Sequence, residues 1–147
     1  MPVVSFEHVD VIFGPNPAQA IEMLDQGLDR DEIFAKTENL VAVNDATLEV
    51  NEGQICVLMG LSGSGKSSLI RCVNGLNKVA RGHLKIQHND QEVDLATCDW
   101  NTLHDLRTER ISMVFQQFAL MPWRTVRDNV ALGLELSGIP KDKRNKI

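Results

Sequence analysis

Residues 54–68 read Gln-Ile-Cys-Val-Leu-Met-Gly-Leu-Ser-Gly-Ser-Gly-Lys-Ser-Ser, and the reading of this stretch decides the fold. Ile55 to Met59 is a short apolar run suited to a strand buried on both faces. Gly60 opens a loop, after which Leu69, Ile70, Val73 and Leu76 recur at helical spacing. Between strand and helix lies Gly60-x-x-x-x-Gly65-Lys66-Ser67, the pattern of a phosphate-binding loop.

Each residue type in that loop has a physical task. Gly60, Gly63 and Gly65 let the backbone take positive φ and bring its N–H groups close to a polyphosphate, which a Cβ would obstruct. The new helix adds its unpaired N-terminal amides and the positive end of its dipole. Lys66 is a mobile point charge for the β and γ phosphates, and the Ser67 hydroxyl is a ligand for Mg²⁺. A Gly/Ser-rich turn matches this pattern by chance in roughly one chain of this length in a couple of hundred. The apolar strand before it and the amphipathic helix after it make nucleotide binding the stronger reading.

Working outward, the 147 residues fit one domain with a sizeable core. A net charge of −5 supplies no basic field for nucleic acid or anionic lipid. Cys56, Cys72 and Cys98 share no metal-type spacing; Cys56 falls on the predicted buried strand and Cys72 on the following helix, as reduced structural thiols. His8, His83, His88 and His104 read as structural or surface residues. The N-terminal residues carry acids and no long apolar core, unlike a secretory signal, and no run approaches the ~18 apolar residues of a membrane span.

In chain order, Val3 to Phe13 predicts a strand with Val9, Val11 and Phe13 on one face, ended by Gly14-Pro15-Asn16-Pro17. Ala20, Ile21, Leu24 and Leu28 follow at helical spacing, and Asp29 with Glu32 caps a second helix carrying Ile33 and Phe34. Residues 16–39 thus form a helical insertion in a strand hairpin whose return is Leu40 to Val50. Beyond the strand-loop-helix of 54–76, His83 to Gln87 and Glu92 to Leu95 predict a hairpin around His88-Asn89-Asp90-Gln91. Asp99 to Arg107 predicts a polar helix, and Ile111 to Phe115 a second short buried strand. Gln116 to Arg124 is unusually apolar for a connection, and either touches a partner or packs on the chain's own core. Thr125 and Asp128 cap a helix carrying Val126, Val130 and Leu134, stopped at Gly138-Ile139-Pro140. Lys141 to Ile147 starts another helix too short to be stable alone, which suggests a chain cut mid-domain.

These residues carry a family resemblance. Lys66 and Gln116, the latter directly after the apolar Val114-Phe115, resemble the Walker A and Q-loop pair of ABC transporter ATPases, and Phe13 resembles the aromatic of that family's A-loop. As an A-loop residue Phe13 would stack on adenine; a core strand aromatic is the lesser alternative. The insertion, Met59 to Ser68 and Met113 to Pro122 are similar to the glycine betaine, proline and choline importer ATPases. Ser67-Ser68, Val73-Asn74-Gly75-Leu76-Asn77 and Pro122-Trp123-Arg124-Thr125-Val126 are most similar to the choline branch.

The resemblance implies an α/β fold: a P-loop NTPase core of the ABC ATPase type, with an N-terminal antiparallel β subdomain and a helical insertion, incomplete at the C-terminus. Residues 1–147 would be the N-terminal part of one nucleotide-binding domain, with 111–124 the Q-loop region and 125–147 the start of a helical subdomain. It implies ATP and Mg²⁺ as cofactors, Lys66 and Gln116 as catalytic residues, and Ser67 and Gln116 at the metal. Phe13, Gly60, Ser62, Gly63, Ser64, Gly65, Lys66, Ser67 and Ser68 would hold the nucleotide. The implied partners are a second copy of the ATPase subunit, a transmembrane permease contacted near Gln116–Trp123 through Phe118, Leu120 and Met121, and, indirectly, a substrate-binding protein. The implied location is peripheral, on the cytoplasmic face of the inner membrane.

The sequence also departs from the family pattern. No Leu-Ser-Gly-Gly-Gln signature occurs; Leu61-Ser62-Gly63 belongs to the phosphate loop, and Leu136-Ser137-Gly138 ends a helix. No apolar strand after Lys66 ends in Asp-Glu, and no switch His follows one. ATP hydrolysis is therefore expected of a longer protein and not of these residues alone. Two readings from other classes stay open: a soluble P-loop small-molecule kinase, and a nucleotide-binding module without catalysis. In the latter, the strands at 55–59 and 111–115 would have unpaired edges and invite aggregation.

Overall fold

In the computed structural model, which describes residues 2–117, 120–144 and 146, the chain forms two compact units that divide after Ile111. The first is built on a four-stranded antiparallel sheet. Its strands are β1 (Pro2–Phe13), β2 (Leu40–Asn51), β3 (Arg81–His88) and β4 (Gln91–Asp94), in spatial order β2-β1-β3-β4. Because β1 is flanked on both edges, its central part is buried: Val9, Asp10 and Val11 are fully enclosed.

Strict alternation along β1 does not hold. His8 and Asp45 both take positive φ, and the pairing register shifts between Phe6 and Val9. This bulge puts Phe6 and Val9 on the same side of the sheet, in one cluster with Val11, Val43, Leu84, Leu69 and Cys72. Ile12 faces a second cluster with Ala20, Ile33 and Val41, and Phe13 stands at the strand's end, 40% exposed.

The second cluster holds the helical insertion, α1 (Pro17–Asp25) and α2 (Arg30–Thr37). Asp29 caps α2 in a complete capping box: its carboxylate accepts from the Glu32 N–H at 2.8 Å, and Glu32 accepts from the Asp29 N–H at 3.1 Å. Fully buried Ile33 pins α2 to Ile12 and Val41. Enclosed Asp10 receives the Arg81 Nε at 2.6 Å, and the same guanidinium reaches Asp25 at the end of α1 at 2.5 Å. The shared guanidinium ties the insertion to the sheet, and losing Arg81 would strand the enclosed Asp10 carboxylate.

Helix α3 (Lys66–Val73) lays Leu69 and Cys72 on the first cluster. Burial pushes the Cys72 thiol up to about 11, which keeps it a neutral packing group. Helix α4 (Trp100–Glu109), capped by Asp99, is tied to the end of α3 by the Arg107 Nε donating to the Asn74 carbonyl at 2.7 Å.

Two expectations fail. Residues 54–59 and 111–115 form no strand, and Ile55, Met59 and Val114 are 89%, 88% and 97% exposed. A strand exists by its ladder, and among the described residues none runs beside either segment. Cys56, expected in a buried strand, is accordingly exposed. Beside it an apolar groove of about 260 Å³ stays open between Phe6, Leu48, Leu58 and Val73.

The second unit holds α5 (Val126–Val130), α6 (Leu132–Leu136) and α7 (Lys141–Arg144). The single helix expected over Val126 to Leu134 breaks at Ala131. The Glu135 carboxylate receives Arg124 through two bonds of 3.2 Å and also Arg144, and these bonds hold it below its ordinary range. The short α7 is thereby anchored to α6 rather than standing alone.

Truncating Ile33 tests whether the insertion belongs to the cooperative core. Ile33→Ala should cost about 2–5 kcal/mol in urea unfolding. An unchanged midpoint would mean that α2 is not part of the unit that unfolds.

Candidate functional site

The loop of residues 60–65 rises from the exposed segment 54–59 and runs directly into α3. Gly65 is the N-cap of that helix at φ 87°, with no side-chain cap, so the first amides of α3 are left for an outside acceptor. A Cβ on Gly65 would lie 2.2 Å from the Ala42 carbonyl oxygen and 3.0 Å from Val43. The loop therefore docks on β2 backbone to backbone. Gly63, at φ 80°, has open space around it instead.

Lys66 folds back over the loop it ends. Its ammonium donates to the Gly60 carbonyl at 2.9 Å, the Leu61 carbonyl at 2.5 Å and the Ser64 hydroxyl at 3.1 Å, engaging all three protons. These bonds place a positive charge at the centre of a ring of backbone. Ser62, Gly63, Ser64 and Ser67 are exposed around it. A polyphosphate entering this ring would meet N–H groups, small hydroxyls and an ammonium whose neutral acceptors a phosphate oxygen replaces with a stronger, charge-assisted partner. The donor set fits a nucleotide's phosphates with their magnesium: Lys66 for the β and γ oxygens, and Ser67, facing outward on the first turn of α3, for the metal.

An open cavity of about 220 Å³ adjoins the loop, walled by Val43 and Asn44 of β2, Met59, Ser64, Lys66 and, from the insertion, Arg30. Phe13 is not on that wall. It pairs with Leu40, three residues before Val43 on β2, or roughly 10 Å along the strand. Its position is fixed by Gly14, where a Cβ would meet Asn39, and by enclosed Asn39, whose side chain accepts from the Asn16 N–H at 3.0 Å. A larger cavity, about 630 Å³, lies by Pro2, His88 and Arg110 and contains no residue of the loop. Chemistry, not size, selects the smaller one.

Gln116 belongs to the second unit, at a bend, with its side chain exposed. Of the apolar connection after it, Phe118 and Ala119 lie outside the described residues. Leu120 and Trp123 are 66% and 78% exposed, so they do not pack on a core. Asn129 organises this connection, an arrangement no spacing rule revealed: its side chain accepts from the Met121 N–H and donates to the carbonyls of Met121, Arg124 and Thr125. Among the described residues no cluster of His, Cys, Asp and Glu is placed to hold a metal, and no helix is long and apolar enough to cross a membrane.

Comparison with known proteins places this geometry among relatives. The family model for ABC transporters matches residues 43–147. The chain is 44% identical over 135 residues to the glycine betaine/proline betaine transport system ATP-binding protein ProV of Escherichia coli, covering 92% of this chain and 33% of ProV. It is 41% identical over 143 residues to the glycine betaine transport ATP-binding protein OpuAA of Bacillus subtilis, covering 97% of this chain and 33% of that protein. The chain thus spans about a third of the length of these curated relatives. Among solved structures, a dimeric post-hydrolysis state of the ATP-binding cassette MJ0796 bound to ADP and Pi superposes with a TM-score of 0.72 at 25% identity, covering 97% of this chain and 53% of the cassette.

The contact between Gly65 and β2 separates two glycines that sequence alone treats alike. Gly63→Ala should cost about 1 kcal/mol, the price of positive φ. Gly65→Ala should cost that plus a further ~1–3 kcal/mol for displacing the Ala42 carbonyl. Thermal unfolding of both variants measures the difference, and equal losses would contradict the docking.

Proposed function

The chain belongs to the ABC transporter family, and from that premise we propose that it is the nucleotide-gripping part of an ATP-hydrolysing, energy-coupling subunit of an importer for methylated amines of the glycine betaine or choline type. The observation that carries the reading is the Lys66 ammonium held inside a glycine ring at the uncapped start of α3. The printed names of the relatives, glycine betaine transport proteins among them, support the cargo class.

In this reading the chain's own groups do three things. Residues 62–68 bind the phosphates through backbone amides and hydroxyls. Lys66 trades the carbonyls of Gly60 and Leu61 for the β and γ oxygens and neutralises charge developing on the transferred group, because phosphoryl transfer is largely positioning and electrostatics. Phe13, exposed at the end of β1, offers its face to adenine. Ser67 and Gln116 would hold Mg²⁺, which when bound would supply charge neutralisation at the phosphates.

Gln116 and the connection after it couple that site to a membrane permease. The support is the exposed apolar surface of Leu120, Trp123, Val126 and Val130, held in place by Asn129 and by Thr125, which caps α5. The working assembly is a pair of these subunits on the cytoplasmic face of the membrane, with a separate binding protein delivering the cargo. Hydrolysis needs groups that these residues do not supply: the signature, the acidic Walker B pair and the switch His.

Two variants of the intact protein test the reading. Lys66→Ala should weaken ATP binding by roughly tenfold or more, the loss of a charge-assisted contact of ~1.5–3 kcal/mol. Gln116→Ala should leave ATP affinity within a factor of about two, a difference of less than ~0.5 kcal/mol, and abolish ATP-driven uptake in reconstituted vesicles. Unchanged ATP binding in the first, or unchanged uptake in the second, would refute the role assigned to that residue.

A further inference from the structure

We infer that Arg30, carried by the helical insertion, is a second cation for the nucleotide's polyphosphate, beside Lys66. The inference rests on the nucleotide-binding reading and extends it to a residue outside the loop motif. Arg30 and Lys66 share the wall of the open cavity next to the loop, and no aspartate or glutamate lines it. On a chain whose net charge is −5, a cavity carrying two cations and no acid is a local reversal of sign that favours an anionic ligand.

The guanidinium is free for that ligand. Among the described residues no side chain pairs with it, whereas Arg81, Arg107, Arg124 and Arg144 are engaged. Asp29 and Glu32, which flank Arg30 in sequence, hydrogen-bond each other's backbone N–H in the capping box and make no pair with the guanidinium. Asp31 beside it makes no pair with it.

Its position is also built rather than incidental. Arg30 is the first residue of α2, which is fixed at one end by that capping box and anchored in the core by buried Ile33. The insertion as a whole is tied to the sheet through the bridge from Asp25 to Arg81 to enclosed Asp10. A planar fork of donors held on such a base suits phosphate oxygens, where a point charge would do less. The insertion thereby acquires a function at the site: it delivers a cation from outside the strand-loop-helix.

The test is equilibrium binding of ATP and of inorganic tripolyphosphate to the intact protein and its Arg30→Ala, Arg30→Lys and Lys66→Ala variants, over a range of salt. Arg30→Ala should weaken both ligands by roughly three- to tenfold and flatten the salt dependence, with Arg30→Lys recovering part of the loss and melting temperatures unchanged. Wild-type affinity in Arg30→Ala, alongside weakened binding in Lys66→Ala, would overturn the role of Arg30 alone. A loss in Arg30→Ala that Arg30→Lys does not recover, and that follows a lowered melting temperature, would also overturn it. Unaltered affinity in Lys66→Ala would overturn the nucleotide reading itself.

Discussion

The backbone contact between Gly65 and the Ala42 carbonyl is the constraint on which the site depends. There is no room for a Cβ between them, so the loop lies directly on β2, and everything β2 carries is held in register with the loop. At one end of that register stands Phe13, opposite Leu40; at the other are Val43 and Asn44 on the cavity wall. β2 is in turn paired to β1, whose buried Asp10 and Ile12 hold the helical insertion. A single close approach thus links the phosphate loop, the candidate adenine face and the insertion's free cation into one rigid body.

The antiparallel sheet is ordered without the two buried strands expected at 55–59 and 111–115. Its core is self-sufficient: a flanked central strand, α3 on one face and the insertion on the other. Of the segment 54–59, Leu58 packs partly on this core and the other residues stay exposed. Neither this segment nor 111–115 forms a strand and most of their residues are exposed, because strand identity requires a neighbour's hydrogen bonds as well as a suitable sequence; Cys56 and Leu58 line an open groove. The chain covers about half of the solved cassette it resembles.

Local signals and the two hairpin pairings, β1 with β2 and β3 with β4, were therefore legible, whereas the pairing of β1 with β3 was not. The Asp29 capping box, the turn at Asn89 and Asp90 with both residues at positive φ, and the start of α3 at Lys66 are each written in adjacent residues. The α/β fold class and the family followed from the loop motif and its spacing to Gln116. What failed depended on distant partners: the strands at 55–59 and 111–115 and the burial of Cys56, whereas Val9 and Val11 share one face as expected. The roles of Asn129, Asn39 and Arg30 were invisible for the same reason, since each acts on residues that only the fold brings near. The polar contacts of Lys66 lie between these cases. The motif names the residue, but only the structure shows its charge already held within the ring.

The central claim is that residues 62–68 form a phosphate cradle. It is tested most directly by following the backbone amide resonances of the intact protein as ATP is added. The account predicts that the amides of Gly63, Ser64, Gly65, Lys66 and Ser67 shift together and saturably, ahead of the rest of the chain, as their N–H groups take up phosphate oxygens. Saturable binding that leaves those five amides unmoved would contradict it.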